Sequence, residues 1–435
     1  MKITFIVIRV LVLVLLLELP GACGKSRESP TQPQRTVFYV DARHASYRRD
    51  GSPDHPYASI REAVAAAPEG ATIIIRPGAY YEYDLRLKRG LTLRADPPLQ
   101  AVVYQAGVFG EGGIFIMTDG VTVRDLVFVC EAGYREISRA LNVNVYVDKQ
   151  AEDIQVIHNR FVRCGLNLFP VSGEIRDNEF NYTIYAIVGA IKGGEVIFED
   201  NHLRGETYFG PPPDYITYGV YVAGADEYSR TLLRRNRIRG FAYGLHVNLD
   251  SRFTAEDNVI ENNSIVGIRI LQLGGPHPNA YIDLGGGPGG SRGHNVIRNN
   301  AFMEEEADWY LGHDLILTGE YAPGEVKVWA RYNRWDHDTP AEVDAYDIYD
   351  DDEEPRLPRV RLAPLWSGER AHVRGTWWRQ RRARECEYPE MIRSEHANGR
   401  WNSGLDAGSL CGDPGRPFLR VAASQSVQWI HLPPG

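Results

Sequence analysis

Cysteine is scarce in this chain, with five in 435 residues, and no two stand in the C-x-x-C spacing of a zinc or redox site. There is no zinc-protease histidine motif and no Gly-x-Ser-x-Gly nucleophile elbow. The glycine run Gly285-Gly-Gly-Pro-Gly-Gly290 is not followed by Gly-Lys-Ser/Thr, and Pro288 interrupts it, so it is read as a coil-to-coil loop rather than a phosphate cradle. Positive charge is not in excess either. Lys and Arg number 48 against 57 Asp and Glu, a formal net charge of -9. Nucleic-acid binding needs a basic face, so no nucleic-acid partner is expected. What remains is an ordinary globular composition, 43% hydrophobic and 24% charged, which excludes a disordered or collagen-like chain.

The chain has one long apolar run, and it lies at the start. Lys2 and Arg9 flank Ile3 to Leu17, and Pro20-Gly-Ala-Cys23 follows. A charged start, an apolar stretch and small residues before a cut site make a secretory signal over residues 1–22. The run is too short for a comfortable transmembrane span. Leu19 to Cys23 is similar to a bacterial lipobox. That resemblance implies a lipid on Cys23, a tether over 23–36, and an exported protein held in the cell envelope through the lipid alone. The alternative is plain secretion. With Cys23 lipidated, Cys130, Cys164, Cys386 and Cys411 remain, an even number for an oxidising compartment. Cys386 and Cys411 close one C-terminal loop and form the favoured disulfide. Cys130 and Cys164 sit at similar points of successive repeats and could pair or simply stack.

A repeat organises the middle of the chain. Asn159, Asn178, Asn201, Asn236 and Asn258 each have an apolar or small residue three before and an apolar residue two after. Their spacings are 19 (159 to 178), 23 (178 to 201), 35 (201 to 236) and 22 (236 to 258). A coil of about twenty residues with one insertion at 205–217 explains the series. Between these segments, Gly leads an alternating apolar strand in Tyr218-Gly-Val-Tyr-Val222, Tyr243-Gly-Leu-His-Val247 and Val266-Gly-Ile-Arg-Ile270. Two short strands per coil with a bend between them would build a prism. An Asn at one corner tolerates a left-handed backbone and can bond to the Asn of the next coil, forming a ladder. The fold class expected is therefore all-β, a right-handed parallel β-helix over 37–366. Residues 367–435 read as a small C-terminal extension.

The front end reads as a cap. Val37-Phe-Tyr-Val40 is a strand, Ser59-Ile-Arg-Glu62 a capping box, and Ile60 to Ala67 a short helix stopped by Pro68-Glu-Gly70. Thr72 to Arg76 is a buried strand. Phe38-Tyr-Val-Asp41, Pro56-Tyr-Ala-Ser-Ile60 and Ile75-Arg-Pro-Gly-Ala-Tyr-Tyr-Glu82 resemble the N-terminal module of pectate-lyase-like β-helix proteins. Asn333-Arg-Trp335, Asp347-Ile-Tyr-Asp350 and Val360-Arg-Leu-Ala-Pro364 are similar to the closing segment of secreted β-helix proteins, including the periplasmic copper-binding type, although Asp336 stands where Gly usually follows the Trp. The resemblance implies the fold and leaves lyases, hydrolases, epimerases and non-catalytic surface proteins all open.

Chemistry is sought in residues 181–252. Tyr182, Tyr185, Tyr208, Tyr215, Tyr218, Tyr221, Tyr228 and Tyr243 cluster there with His246, and aromatic faces stack on sugar rings. Lys192, Asp214, Asp226, Glu227, Asp250 and Arg252 are the catalytic candidates; Tyr215, Tyr218, Tyr221, Tyr243 and His246 are the substrate-binding candidates. Lyases of this fold need a base and a cation, often calcium, beside a sugar carboxylate, whereas its hydrolases use paired carboxylates. Calcium could be held at Asp336-His337-Asp338 or at the acidic run 350–354, although acidic loops of this kind are more often simply solvated. The first expectation is an envelope protein that binds polysaccharide without cleaving it. The second is a polysaccharide lyase or glycosidase working near the 205–217 insertion.

Overall fold

The computed structural model describes residues 36–366 except 45–46, 106–113, 117, 131–138, 145–150, 170, 184, 192–193, 206–216, 225–228, 249–251, 273–278, 301–312, 320–326, 351–356 and 358. Cys23, the tether, Cys386, Cys411 and the extension 367–435 lie outside the described residues.

All named strand pairs are parallel, and they form three sheets of twelve, nine and ten strands, here sheets A, B and C. From Thr72–Ile75 to Leu315–Gly319 the chain visits them in the order A, B, C and repeats, so each coil of that stretch contributes one strand to each sheet. In one such coil Ala151–Ile157 lies in sheet A, Arg160–Val162 in sheet B and Gly165–Phe169 in sheet C. Each strand pairs with its counterpart one coil on, as Phe161 does with Phe180 and Phe180 with Leu203. The coil therefore has three strands, not the two anticipated from the sequence. The missed strands are those of sheet B. Most are three to five residues long, too short for alternation to register, and Phe161 or Ile238 is their single fully inward residue.

Inward residues stack in columns. Phe128, Phe161 and Phe180 are each at most 2% exposed, with ring centroids 5.1 and 4.6 Å apart and planes nearly parallel. Burial of one such ring stabilises by about 1.5–3 kcal/mol, and the ring pairing adds about 0.5–1.5. At the start, helix α1 (Ile60–Ala66) turns Ile60, Ala63 and Val64 into this core. Ser59 caps it by accepting the Glu62 amide. The Glu62 carboxylate reaches back to the Ala58 amide, one residue beyond the position of an ordinary capping box.

The asparagine ladder runs between sheets A and B. The backbone and side-chain amides of Asn159 both donate to Asn178 Oδ1, and the pattern repeats through Asn201, Asn236, Asn258, Asn295 and Asn333. Each side-chain amide also donates to a carbonyl of the preceding coil, such as Asn236 to Phe198. The left-handed residue is the one before each Asn rather than the Asn itself. His158, Asp177, Asp200, Arg235, Asp257, His294 and Tyr332 have φ between 54 and 60°. The Asn side chain is occupied in bonding upward, so the turn falls on its neighbour.

A second, shorter ladder runs between sheets B and C. The Phe241 amide donates to Asn263, Asn263 to Asn300, and Asn300 to Asp314. Gly219, Gly244 and Gly267 lie directly beneath it. A Cβ on Gly244 would sit 2.7 Å from the Gly267 carbonyl and 2.6 Å from Asn263 Nδ2, which is why Gly holds the second place of each of these strands. Gly244→Ala should cost about 1–3 kcal/mol by overpacking, read as a lower urea midpoint. An unchanged midpoint would mean the column is looser than its geometry.

Candidate functional site

Four of the sequence candidates fall on or beside the outer face of sheet C. In Tyr218-Gly-Val-Tyr-Val222, Val220 and Val222 point into the core and Tyr221 points out. The same alternation turns His246 and Arg269 outward in the next two coils, and the register aligns Tyr221, His246 and Arg269 in one row. Tyr218 and Tyr243 pair at the first position of their strands. The rings form a compact cluster. Tyr221 stacks on His246 with centroids 4.7 Å apart, Tyr218 stacks on Tyr243 at 5.4 Å, and Tyr218 meets His246 edge-on at 5.3 Å. The Arg269 guanidinium lies 5.4 Å from the Tyr243 ring centre and donates from Nε to Thr318 Oγ1 at 3.2 Å.

His246 is the unusual member. It is 3% exposed, and among the described residues only the Asn248 side chain offers its ring a polar contact, too poorly aligned to make a full hydrogen bond. Burial, with the Arg269 charge behind it, pushes its pKa down to about 4. The imidazole is therefore neutral at neutral pH and one nitrogen is open to accept a proton. Nearby on the same face, Asn248 and Asn167 are also buried, each with an amide oxygen lacking a partner among the described residues. Buried polar atoms left open in this way are costly. Their gathering on one face suits a polar ligand better than a sealed surface.

The other candidates are distributed differently. Arg252 begins a strand of sheet A, in register with Arg230 and Tyr281, and so stands on another face from the His246 cluster. Lys192, Asp214, Asp226, Glu227, Asp250 and Tyr215 lie outside the described residues. Arg269 was not among the sequence candidates. Its signal was present, because Arg holds the fourth place of Val266-Gly-Ile-Arg-Ile270, where the two preceding coils carry His246 and Tyr221.

Two of the acidic residues considered for calcium each have an oxygen engaged by the chain. Asp336 accepts the Asn299 amide, Asp347 holds His337 through Nδ1 at 2.7 Å and its backbone amide at 3.1 Å, and Asp350 accepts the Val360 amide. The Asp347 bond raises the His337 pKa. Among the described residues no three His, Cys, Asp or Glu side chains gather as a metal-ligand set. The run 351–354 lies outside them. In the Gly-rich loop, buried Asp283 accepts the amides of Gly285, Gly287 and Ser291, and the chain then rejoins the ladder at Asn295. It is a coil-to-coil loop.

Residues 143–302 match the family described as a right handed beta helix region. The fold is a right-handed parallel β-helix. No curated protein matches the chain by sequence. Among solved structures it is similar to the A-module of the Azotobacter vinelandii mannuronan C-5 epimerase AlgE4, at 14% identity and TM-score 0.47, covering 75% of this chain and 96% of that one. It is also similar to a rhamnogalacturonan lyase, at 11% identity and TM-score 0.32, over 63% of this chain and 90% of that one. A pectin methylesterase in complex with a hexasaccharide gives 15% identity and TM-score 0.31, over 73% and 93%. At such identities a shared coil path does not carry a chemistry, because one scaffold hosts many.

Proposed function

We propose that this is an exported, lipid-anchored protein of the cell envelope that holds an acidic polysaccharide on the outer face of sheet C and moves a proton on it through His246. The observation that carries this reading is the enclosed neutral imidazole set between Tyr221 and Arg269. A proton on the carbon next to a sugar carboxylate is acidic enough to remove only if the carboxylate charge is offset. Arg269 supplies a positive charge there, in the role for which the sequence reading looked to calcium. His246 takes the proton and the C–H electron pair passes toward the carboxylate. Expulsion of the oxygen on the neighbouring carbon would then break the chain, and return of a proton to the opposite face would invert the centre. The Tyr rings bind the sugar faces.

The test is a panel of acidic and neutral polysaccharides run against the mature chain, reading gel retardation, new chain ends and carbon inversion from the same samples. The expected result is retardation with new ends or inversion on an acidic glycan. His246→Ala should keep retardation and lose about 10²–10⁴-fold in rate, whereas Arg269→Ala should weaken both. Retardation with neither product would leave the non-catalytic binder, the reading the sequence favoured. No retardation by any glycan would overturn the polysaccharide reading itself. Acylation of Cys23 is read separately, by mass, on the membrane fraction.

A further inference from the structure

We infer that Cys130 and Cys164 are a modification site, oxidised to a disulfide that staples two successive coils at the corner between sheets B and C. Cys130 ends the strand Val127–Cys130, and Cys164 follows the strand Arg160–Val162 one coil later. Val129 pairs with Val162, so Cys130 faces Arg163 and Cys164 lies one residue further along. A coil spacing of about 4.8 Å and a rise of about 3.3 Å put the two Cα atoms roughly 6 Å apart. A disulfide spans about 4.4–6.8 Å between Cα atoms. The side chains agree with this placement. The two residues, unbridged in the structure, are 2% and 1% exposed, and the Cys164 side chain acts directly on the Cys130 thiol. The Cys164 Sγ also meets the Val162 carbonyl at 3.3 Å. Burial pushes the Cys130 thiol up, so this thiol is a poor nucleophile once the core has closed. Oxidation therefore belongs to folding, before the corner is sealed.

The step is a thiol–disulfide exchange with an oxidised disulfide donor. One thiolate attacks the donor's S–S bond and forms a mixed disulfide. The second displaces the donor sulfur, so one S–S bond forms in the chain and one breaks in the donor. Two electrons and two protons pass to the donor's thiols. In the cell this depends on the export proposed above, but the chemistry can be examined without it.

The full chain, reduced and unfolded, is refolded in a mixed oxidised and reduced glutathione buffer, denatured without reductant, alkylated, digested and mapped by mass spectrometry. The expected result is a peptide pair joined through Cys130 and Cys164, unalkylated at both. The oxidised chain should then melt several degrees higher than the same chain refolded under reductant. Cys164→Ser should show no such oxidant-dependent shift from this pair, whatever Cys386 and Cys411 do. Quantitative alkylation of both residues in chain that has regained its strand circular dichroism would overturn the proposal. Because the buffer supplies the donor, that failure is independent of whether Cys23 is acylated or a glycan is bound.

Discussion

Asn236→Ala should lower the stability of the β-helix by about 3–6 kcal/mol, the largest loss expected of any single conservative change outside the aromatic core. Asn236 Oδ1 accepts both amides of Asn201, and its Nδ2 donates to the Phe198 and Arg234 carbonyls and to Asn258 Oδ1. The residue is 1% exposed, so water does not replace what is lost. Each buried donor or acceptor left open costs about 1–3 kcal/mol, and alanine strands at least three. Because a solenoid's coils contact mainly their neighbours, the break falls in mid-stack rather than at a fraying end. Urea unfolding followed by circular dichroism measures it, with Asn181→Ala as the reference. Asn181 points out of sheet B, is only half-buried, and should cost well under 1 kcal/mol. Equal midpoints for the two variants would show that the ladder is decorative.

That ladder is also where the sequence was most legible. A polar residue recurring in an apolar frame has few explanations, and the four spacings led directly to a coil. Asn295 re-enters the series after the Gly-rich loop, as its sequence indicates, and Asn333 extends it one coil further. What the repeat did not reveal is how the corner turns. The positive φ falls on His158, Asp177, Asp200 and Arg235, residues with nothing in common except the Asn that follows. Sheet B escaped for a related reason. A strand such as Arg237–Arg239 turns one apolar side chain inward, and one residue has no period. The second ladder was hidden because it has only Asn263, Asn300 and an Asp, Asp314, in its last place.

The site was half legible. Tyr218, Tyr221, Tyr243 and His246 were singled out as a sugar-binding set, and the register of sheet C brings all four together. Arg269 was passed over because charged residues were sought in the loops around the insertion. Strand alternation was used to find buried residues, yet the same alternation specifies the outward one. Aligning the three Gly-led strands by their fourth residue yields Tyr, His and Arg in successive coils, a row with an acceptor and a cation side by side. Composition cannot reveal that the imidazole is enclosed. Its depressed pKa follows from the Tyr rings and Arg269 closing over it, which only the coil geometry determines.

Enclosure of His246 should make the protein lose stability as pH falls below that of an ordinary imidazole. Its pKa drops from 6.5 to about 4 on folding. Above the unfolded value the ring is neutral in both states and contributes no slope. As pH falls through the window between the two values, the unfolded chain takes up a proton that the folded chain refuses, and stability drains away; below the folded value both are charged and the loss stops. From pH 6.5 to 5, a span chosen to stay clear of the carboxylates held low, such as Asp125 and Glu261, this amounts to about 2 kcal/mol. His202, whose pKa is also pushed to about 4, adds a slope of the same sign. Asp314, raised to about 8, gains stability as pH falls and acts in the opposite sense. The wild-type curve alone is therefore a sum. The informative quantity is its difference from His246→Gln, which keeps polarity and removes the titration, so urea midpoints at several pH values should show the variant losing about 2 kcal/mol less over that span. Parallel curves would mean that His246 is not enclosed in solution, and the proton transfer proposed for it would lose its neutral base. Divergent curves, with glycan turnover constant down to pH 5 and falling only as pH approaches the folded value of about 4, would tie stability and chemistry to one imidazole.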